Sequence, residues 1–312
     1  MSRVTRRSFF RVSAAGLLAG GAAVSENFTP SRGLVPEVSA ETFKGTLKKS
    51  MYWGMLPDSL SIDERFALAL RIGLAGVEIP TQEDTGMVAE FKAASKKSGV
   101  PVHSIMNSNH WKFPLSSSDP GPVKTGMQGM ETSLRNAHAL GADTVLLVPA
   151  VVNAETSYKD AYERSRIHIR ELLPLAKELN VVIAIENVWN KFLLSPLEFA
   201  RYVDDFDSTF LRAYFDVGNV VLFGYSHDWL RTLGKRIIKV HLKDFRFQRD
   251  PKTKQRAAEF VPLREGDIDW PEVYKALADI GFRGTATTEV TGGGKAELQE
   301  ISRRVDLILA GA

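Results

Sequence analysis

The chain has 312 residues, 44% of them apolar, enough for one large α/β domain or two smaller ones with a sizeable core. It contains no cysteine, which excludes disulfides, thiolate metal sites, a lipoprotein anchor and a cysteine nucleophile. The formal net charge of +3 sits at the N-terminus: residues 1–40 hold five Arg and two Glu, so taking five from 40 and two from 37 leaves 35 charges of each sign and no support for nucleic-acid binding.

The chain opens on Thr5-Arg6-Arg7-Ser8-Phe9-Phe10, followed by a Gly- and Ala-rich apolar run over residues 13–24 and a polar, Pro-containing spacer. This resembles a twin-arginine export signal, in which an Arg pair precedes a polar residue and bulky apolar ones. Residues 1–45 are therefore expected to be signal and linker, and 46–312 a single folded domain. The resemblance implies a periplasmic or otherwise exported protein that meets the twin-arginine machinery already folded. A metal site would then fill in the cytoplasm, with Mn²⁺ or Mg²⁺, before meeting tighter-binding ions. No run approaches the roughly 18 apolar residues of a spanning helix, so no permanent membrane anchor is expected.

From Lys49 onward strand-like and helix-like stretches alternate. Strands are expected near 51–55, 76–80, 100–106 and 144–148, with helices over about 62–73, 88–98, 125–140 and 158–179. Ser61 and Glu64 have capping-box spacing, and Gly73, Gly99 and Gly141 stand where helices should stop. The fifth strand, Val181-Val182-Ile183-Ala184-Ile185-Glu186-Asn187, is apolar on both faces and stops on a carboxylate. Ser195-Pro196-Leu197-Glu198 opens the next helix.

The sixth strand is 211–216, followed by a short helix near 227–234, and the seventh is 237–241. A charged insertion over about 247–266 precedes a helix opened by Asp269-Trp270-Pro271-Glu272. The eighth strand, 284–289, leads to a last helix over about 296–309. Eight strand–helix pairs in one domain give a (β/α)₈ TIM barrel. An open doubly wound sheet is the alternative, but no G-x-G-x-x-G follows the first strand.

The last four strands end on Glu186, Asp216, His241 and Glu289. In a barrel all strand carboxyl ends meet at one mouth, so these four converge there as a ligand set for one divalent metal ion. His110-Trp111-Lys112 and Trp189-Asn190-Lys191, on mouth loops, each offer an aromatic face, a cation and a polar group for a substrate. Arg246, after the seventh strand, is a candidate for gripping phosphate or hydroxyls. Glu78 also lies near the mouth, where a buried ion pair is the plainer expectation.

At IEN (185–187), FDVGN (215–219), KVHLKD (239–244), GDIDW (266–270) and TTEV (287–290) the sequence resembles the xylose-isomerase-like barrel superfamily, in its sugar isomerase/epimerase branch. The resemblance implies a metal held by Glu186, Asp216, His241 and Glu289. It also implies that Glu186 and Glu289 are the catalytic acid/base pair, working through an enediolate. Mn²⁺ is the expected ion, with Mg²⁺, Co²⁺ and Zn²⁺ as alternatives. Ketose or keto-sugar 3-epimerisation is the expected reaction; aldose–ketose isomerisation and dehydration are open on the same site. Some ketose epimerases place a substrate-binding His three residues beyond the Asp, where this chain has Asn219.

A barrel nuclease with three zinc ions needs further His ligands after Asp216 and His241 that are lacking here. A non-catalytic exported sugar-binding barrel is the reading of another class, against which the complete ligand set stands. A homo-oligomer is compatible with the sequence.

Overall fold

The computed structural model describes Phe43 and residues 45–249 and 256–312; the Arg6-Arg7 segment and its expected export role lie outside them. Runs rich in β-branched and aromatic residues form the parallel strands β1 (Lys48–Tyr52), β2 (Gly76–Pro80), β3 (Val102–Met106), β4 (Thr144–Leu147), β5 (Val182–Glu186), β6 (Leu211–Asp216) and β7 (Ile237–Leu242). An antiparallel hairpin of β8 (Asp244–Arg249) and β9 (Arg256–Val261) comes next, and β10 (Thr285–Thr288) returns to the parallel set.

β1 pairs with β2 on one side and β10 on the other, which closes the sheet and excludes the open doubly wound alternative. The covering helices are α1 (Ile62–Arg71), α2 (Thr85–Ser98), α3 (Pro120–Leu140), α4 (Tyr158–Leu179), α5 (Pro196–Asp204), α6 (Ser226–Leu233), α7 (Trp270–Asp279) and α8 (Lys295–Leu309). The fold is a (β/α)₈ TIM barrel. Among the described residues no helix is long and apolar enough to cross a membrane.

Helix ends follow local chemistry. Ser61 and Glu64 form the expected reciprocal capping box at α1. Ser195 accepts from the Glu198 amide, whereas the Glu198 carboxylate takes the Tyr158 hydroxyl at 2.6 Å and the Leu194 amide. α2 and α3 begin earlier than their hydrophobic periods suggest, because Asp84 and Asp119 accept from the amides of Gly86 and Gly121.

The first strand ends sooner than expected, at Tyr52. The chain then turns through Trp53–Met55, and Trp53 is buried against Phe66 and Phe91. The expected charged insertion is largely the β8–β9 hairpin. Its alternation of Phe245 and Phe247 with polar residues carries the period of a strand.

The large core lies between strands and helices and includes Ile79, Ile105, Ile183, Ile185 and Phe215. Inside the barrel a smaller layer of Leu146, Ala184 and Tyr214, flanked by Met106 and Ile238, gives way to polar groups. There the His103 Nε2 lies 2.8 Å from Ser50 Oγ and 3.1 Å from Thr287 Oγ1, and burial holds its pKa well below the usual imidazole range. The barrel is thus filled by side chains beneath its mouth.

Candidate metal centre

Glu186, Asp216 and His241 are the last or next-to-last residues of their strands and Glu289 directly follows β10, so the parallel register sets them side by side. Asp216 stands opposite His241, and His241 stands opposite Thr287, two residues before Glu289. One ligand atom from each of Glu186, Asp216, His241 and Glu289 lies within 4.8 Å of every other. The first three are buried and Glu289 is partly so. The structure thus brings together all four residues expected from the sequence.

His241 is the hub. Its Nε2 lies 2.8 Å from Glu78 Oε1, and its Nδ1 lies 2.9 Å from Glu186 Oε1 and 3.1 Å from Glu289 Oε2. Burial alone would lower the imidazole pKa, but the carboxylates of Glu78, Glu289 and Glu186 outweigh it and raise it well above the usual range. Glu78 is the buried ion pair expected at its position.

The two glutamates are driven apart. Burial pushes Glu186 up to about 7 against the pull of His241 and Lys243. At Glu289 burial also pushes upward, but His241 and Lys243 prevail and bring it to about 2.

Asp216 is fixed by its surroundings. Its Oδ1 accepts the amides of Gly218 and Asn219, both at 2.8 Å, and its backbone exchanges two 2.9 Å hydrogen bonds with the Asn187 side chain. Among the described residues its buried Oδ2 receives no hydrogen bond, and it lies 3.2 Å from Lys243 Nζ. Lys243 also reaches Glu289 Oε2 at 2.8 Å.

The cage therefore sets the carboxylates of Glu78, Glu186, Asp216 and Glu289 against the two cations His241 and Lys243. Uncompensated buried negative charge is costly, and a divalent cation held here would balance it. With an ion bound, Glu78 would keep the His241 proton on Nε2, as second partners of ligating histidines do, and leave Nδ1 to the metal. The donor set fits a single ion with oxygen and imidazole ligands.

Residues 66–307 match the family described as the xylose isomerase-like TIM barrel. The chain belongs to this family. SgbU of Escherichia coli K12, provisionally named as an L-ribulose-5-phosphate 3-epimerase, is 28% identical over 257 residues, covering 77% of this chain and 87% of that protein. The L-ribulose-5-phosphate 3-epimerase UlaE of Escherichia coli O1:K1 is 24% identical over 240 residues, 73% of this chain and 81% of its own length. The D-allulose 3-epimerase of Methylomonas sp., solved with D-allulose, superposes with a TM-score of 0.64 at 19% identity, covering 78% of this chain and 83% of that one.

The structure places the expected substrate residues in different surroundings. His110 is buried near Glu289, and its Nδ1 accepts the Val148 amide at 3.3 Å, so the neutral ring carries its proton on Nε2. Burial lowers its pKa to about 4, against a small upward pull from Glu289. Trp189 is 42% exposed, stacks on Phe260 at 5.1 Å and meets Phe245 edge-on. Lys191 is exposed in left-handed backbone, with φ 59°.

Three residues are engaged elsewhere. The Asn190 amide bonds the backbone of Ala150 and Phe192 and ties the loop after β5 to the one after β4. Asn219 donates to the Asn187 carbonyl, and its own carbonyl accepts the Trp189 indole, so it braces the loops after β5 and β6. Arg246 bonds the Glu265 carbonyl. Strand alternation puts it on the hairpin face opposite Phe245 and Phe260, the pair that packs on Trp189.

Lys243 and Tyr52 were not foreseen. Lys243 follows His241 by two residues, the strand period that places both on one face. Tyr52, at the end of β1, has its pKa raised by burial and by Glu289 and Glu78.

Proposed function

We propose that this protein is a divalent-metal-dependent sugar isomerase/epimerase, most simply a ketose or keto-sugar 3-epimerase, in which Glu186 and Glu289 move the proton of a carbon beside a carbonyl. The convergence of Glu186, Asp216, His241 and Glu289 within 4.8 Å carries this reading. The names of the similar proteins SgbU and UlaE favour 3-epimerisation among the reactions open to such a site.

A bound divalent ion, with Mn²⁺ the preferred occupant, supplies electrostatic stabilisation for the charge that develops on the substrate oxygens as the proton leaves. The protein supplies the rest. Glu186 and Glu289 come from strands separated by β6 and β7 in the barrel order, so they approach a substrate from different sides. Abstraction by one carboxylate and return by the other, across a planar enediolate, inverts the carbon. Neutral His110 offers its Nε2 proton to a substrate oxygen, and Lys243 holds Asp216 and Glu289 in place. Trp189 and Phe260, stacked on each other, give the mouth a partly exposed aromatic wall.

Export by the twin-arginine route, signalled by Arg6-Arg7, belongs to the same proposal; retention of an Arg6→Lys, Arg7→Lys variant in the periplasm would contradict it. The central test is incubation of the Mn²⁺-loaded protein with ketoses and keto-sugars in D₂O. Metal-dependent uptake of deuterium at the carbon beside the carbonyl is the expected result. Saturable sugar binding without uptake would instead indicate a binding protein.

A further inference from the structure

The cleft that opens from Lys243 and Glu289 does not stop at the metal centre. It measures about 960 Å³ and runs outward between the end of β9 and the start of α8. That volume is at the upper end of the roughly 300–1,000 Å³ that accommodates drug-sized ligands, and a lone monosaccharide is much smaller than those. Its walls are mainly apolar, with Tyr52, Met55, Phe260, Val261 and Ile301 among them. Phe260 is 49% exposed, so part of an aromatic surface is open to a ligand.

The same cleft is poorly equipped for a phosphate. Among the described residues its lining contains two cations, Lys243 and Arg304. Lys243 is held by Asp216 and Glu289, while Arg304 is held by Glu300, Glu265 and the Leu263 carbonyl. Glu297 also lines the cleft and adds negative charge, while Glu300 is paired with Arg303 and Arg304. The N-terminus of α8, otherwise an anion site, already has the Glu297 carboxylate beside it: a Cβ built on Gly294 would lie 3.0 Å from Glu297 Oε2.

Given the proton-transfer reading of the metal centre, we infer that the substrate is an uncharged keto-sugar bearing a second flat-faced unit, a further sugar ring or an aromatic group, and not a sugar phosphate. The reacting sugar sits at Glu186 and Glu289. The second unit extends along the cleft over Phe260 and Tyr52, where apolar ring faces are buried against aromatic side chains.

The Mn²⁺-loaded full-length protein is assayed for deuterium uptake from a free ketohexose, its terminal phosphate ester, a keto-disaccharide and a p-nitrophenyl keto-glycoside. One or both of the last two should exceed the first two in kcat/KM by about tenfold or more, and which one does so identifies the second unit. Ala296 lines the cleft and is exposed at the first turn of α8, so Ala296→Trp fills the cleft without entering the core. It should remove most of that preference. A faster reaction with the phosphate ester or the free ketose, or an unchanged preference in Ala296→Trp, overturns the inference and leaves the epimerase reading standing. No uptake from any sugar rejects that reading. Calorimetry with the p-nitrophenyl keto-glycoside then decides the cleft separately: binding weakened by Ala296→Trp supports it, and no binding rejects it.

Discussion

His241 Nε2 and Glu78 Oε1 lie 2.8 Å apart, and both side chains are fully buried. Glu78 is on β2 and His241 on β7, so this contact crosses the barrel interior beneath the metal centre. It holds the imidazole with Nδ1 toward Glu186 and Glu289. Glu78→Gln keeps a hydrogen-bond acceptor but removes the charge that supports the ligand. Mn²⁺ affinity should fall by about 10–100-fold, the usual loss when such a partner is changed. Titration calorimetry reads this directly, and unchanged affinity in a normally folded variant would show that Glu78 serves packing alone.

Glu186 and Glu289 are each assigned two roles, ligand and proton carrier, and amide replacement separates them. Glu289→Gln retains an oxygen for the cation while losing the group that takes a proton. Deuterium uptake should drop by about 10²–10⁴-fold, the span of general acid–base contributions, with much of the metal retained by elemental analysis. Undiminished uptake removes Glu289 from the chemistry. Glu186→Gln should behave likewise.

The legibility of this site in the sequence follows from strand geometry. Glu186, Asp216, His241 and Glu289 each stand at the carboxyl end of a strand-like run, and a barrel turns a common position along the strand into a common position in space. Lys243 and Tyr52 needed more than that pattern. Lys243 lies just beyond the end of its strand, and Tyr52 was hidden by a first strand expected several residues too late. Asn190, Asn219 and Arg246 had plausible chemistry and positions, but sequence does not say where an amide or guanidinium finds its partner. Backbone carbonyls took all three. The β8–β9 hairpin was obscured because its polar residues read as an insertion, although Phe245 and Phe260 pair across it.

Lys243 compensates carboxylates that would otherwise repel one another, with its ammonium 3.2 Å from Asp216 and 2.8 Å from Glu289. Lys243→Met leaves the cage more negative. Chelated protein should lose thermal stability, whereas saturating Mn²⁺ should restore much of it, so the difference in Tm with and without EDTA should widen relative to the natural chain. Equal differences in the two proteins would mean that Lys243 does not balance the cage.

His110 makes a separate pH signature. Its folded-state pKa is about 4 against an ordinary 6.5, so the unfolded chain takes up a proton first as pH falls. The His110 contribution to stability is therefore fully present above 6.5 and is lost as pH drops toward 4, by up to about 3 kcal/mol. His110→Asn removes this titration. Denaturant unfolding between those limits should show a shallower decline with acid for the variant, and parallel curves would place the proton uptake elsewhere.

Asp244 anchors the hairpin that walls the cleft. Its carboxylate accepts the amides of Phe245, Arg264 and Gly266 and the Trp270 indole, at 2.9, 2.7, 3.1 and 3.0 Å. Gly266 is required beside it, since a Cβ there would lie 2.1 Å from Asp244 Oδ1 and 2.6 Å from the Phe245 carbonyl. Asp244→Ala strands several buried donors, each costing about 1–3 kcal/mol when unpaired. Global stability should fall by about 3 kcal/mol or more, and amide exchange should quicken first in β8 and β9, because the hairpin depends on this carboxylate more than the closed barrel does. Since Phe260 rides on β9, KM should rise for a substrate that reaches the cleft, while metal affinity stays near that of the natural chain. Slow exchange retained across the hairpin would show that the Phe245, Phe260 and Trp189 packing holds it without Asp244.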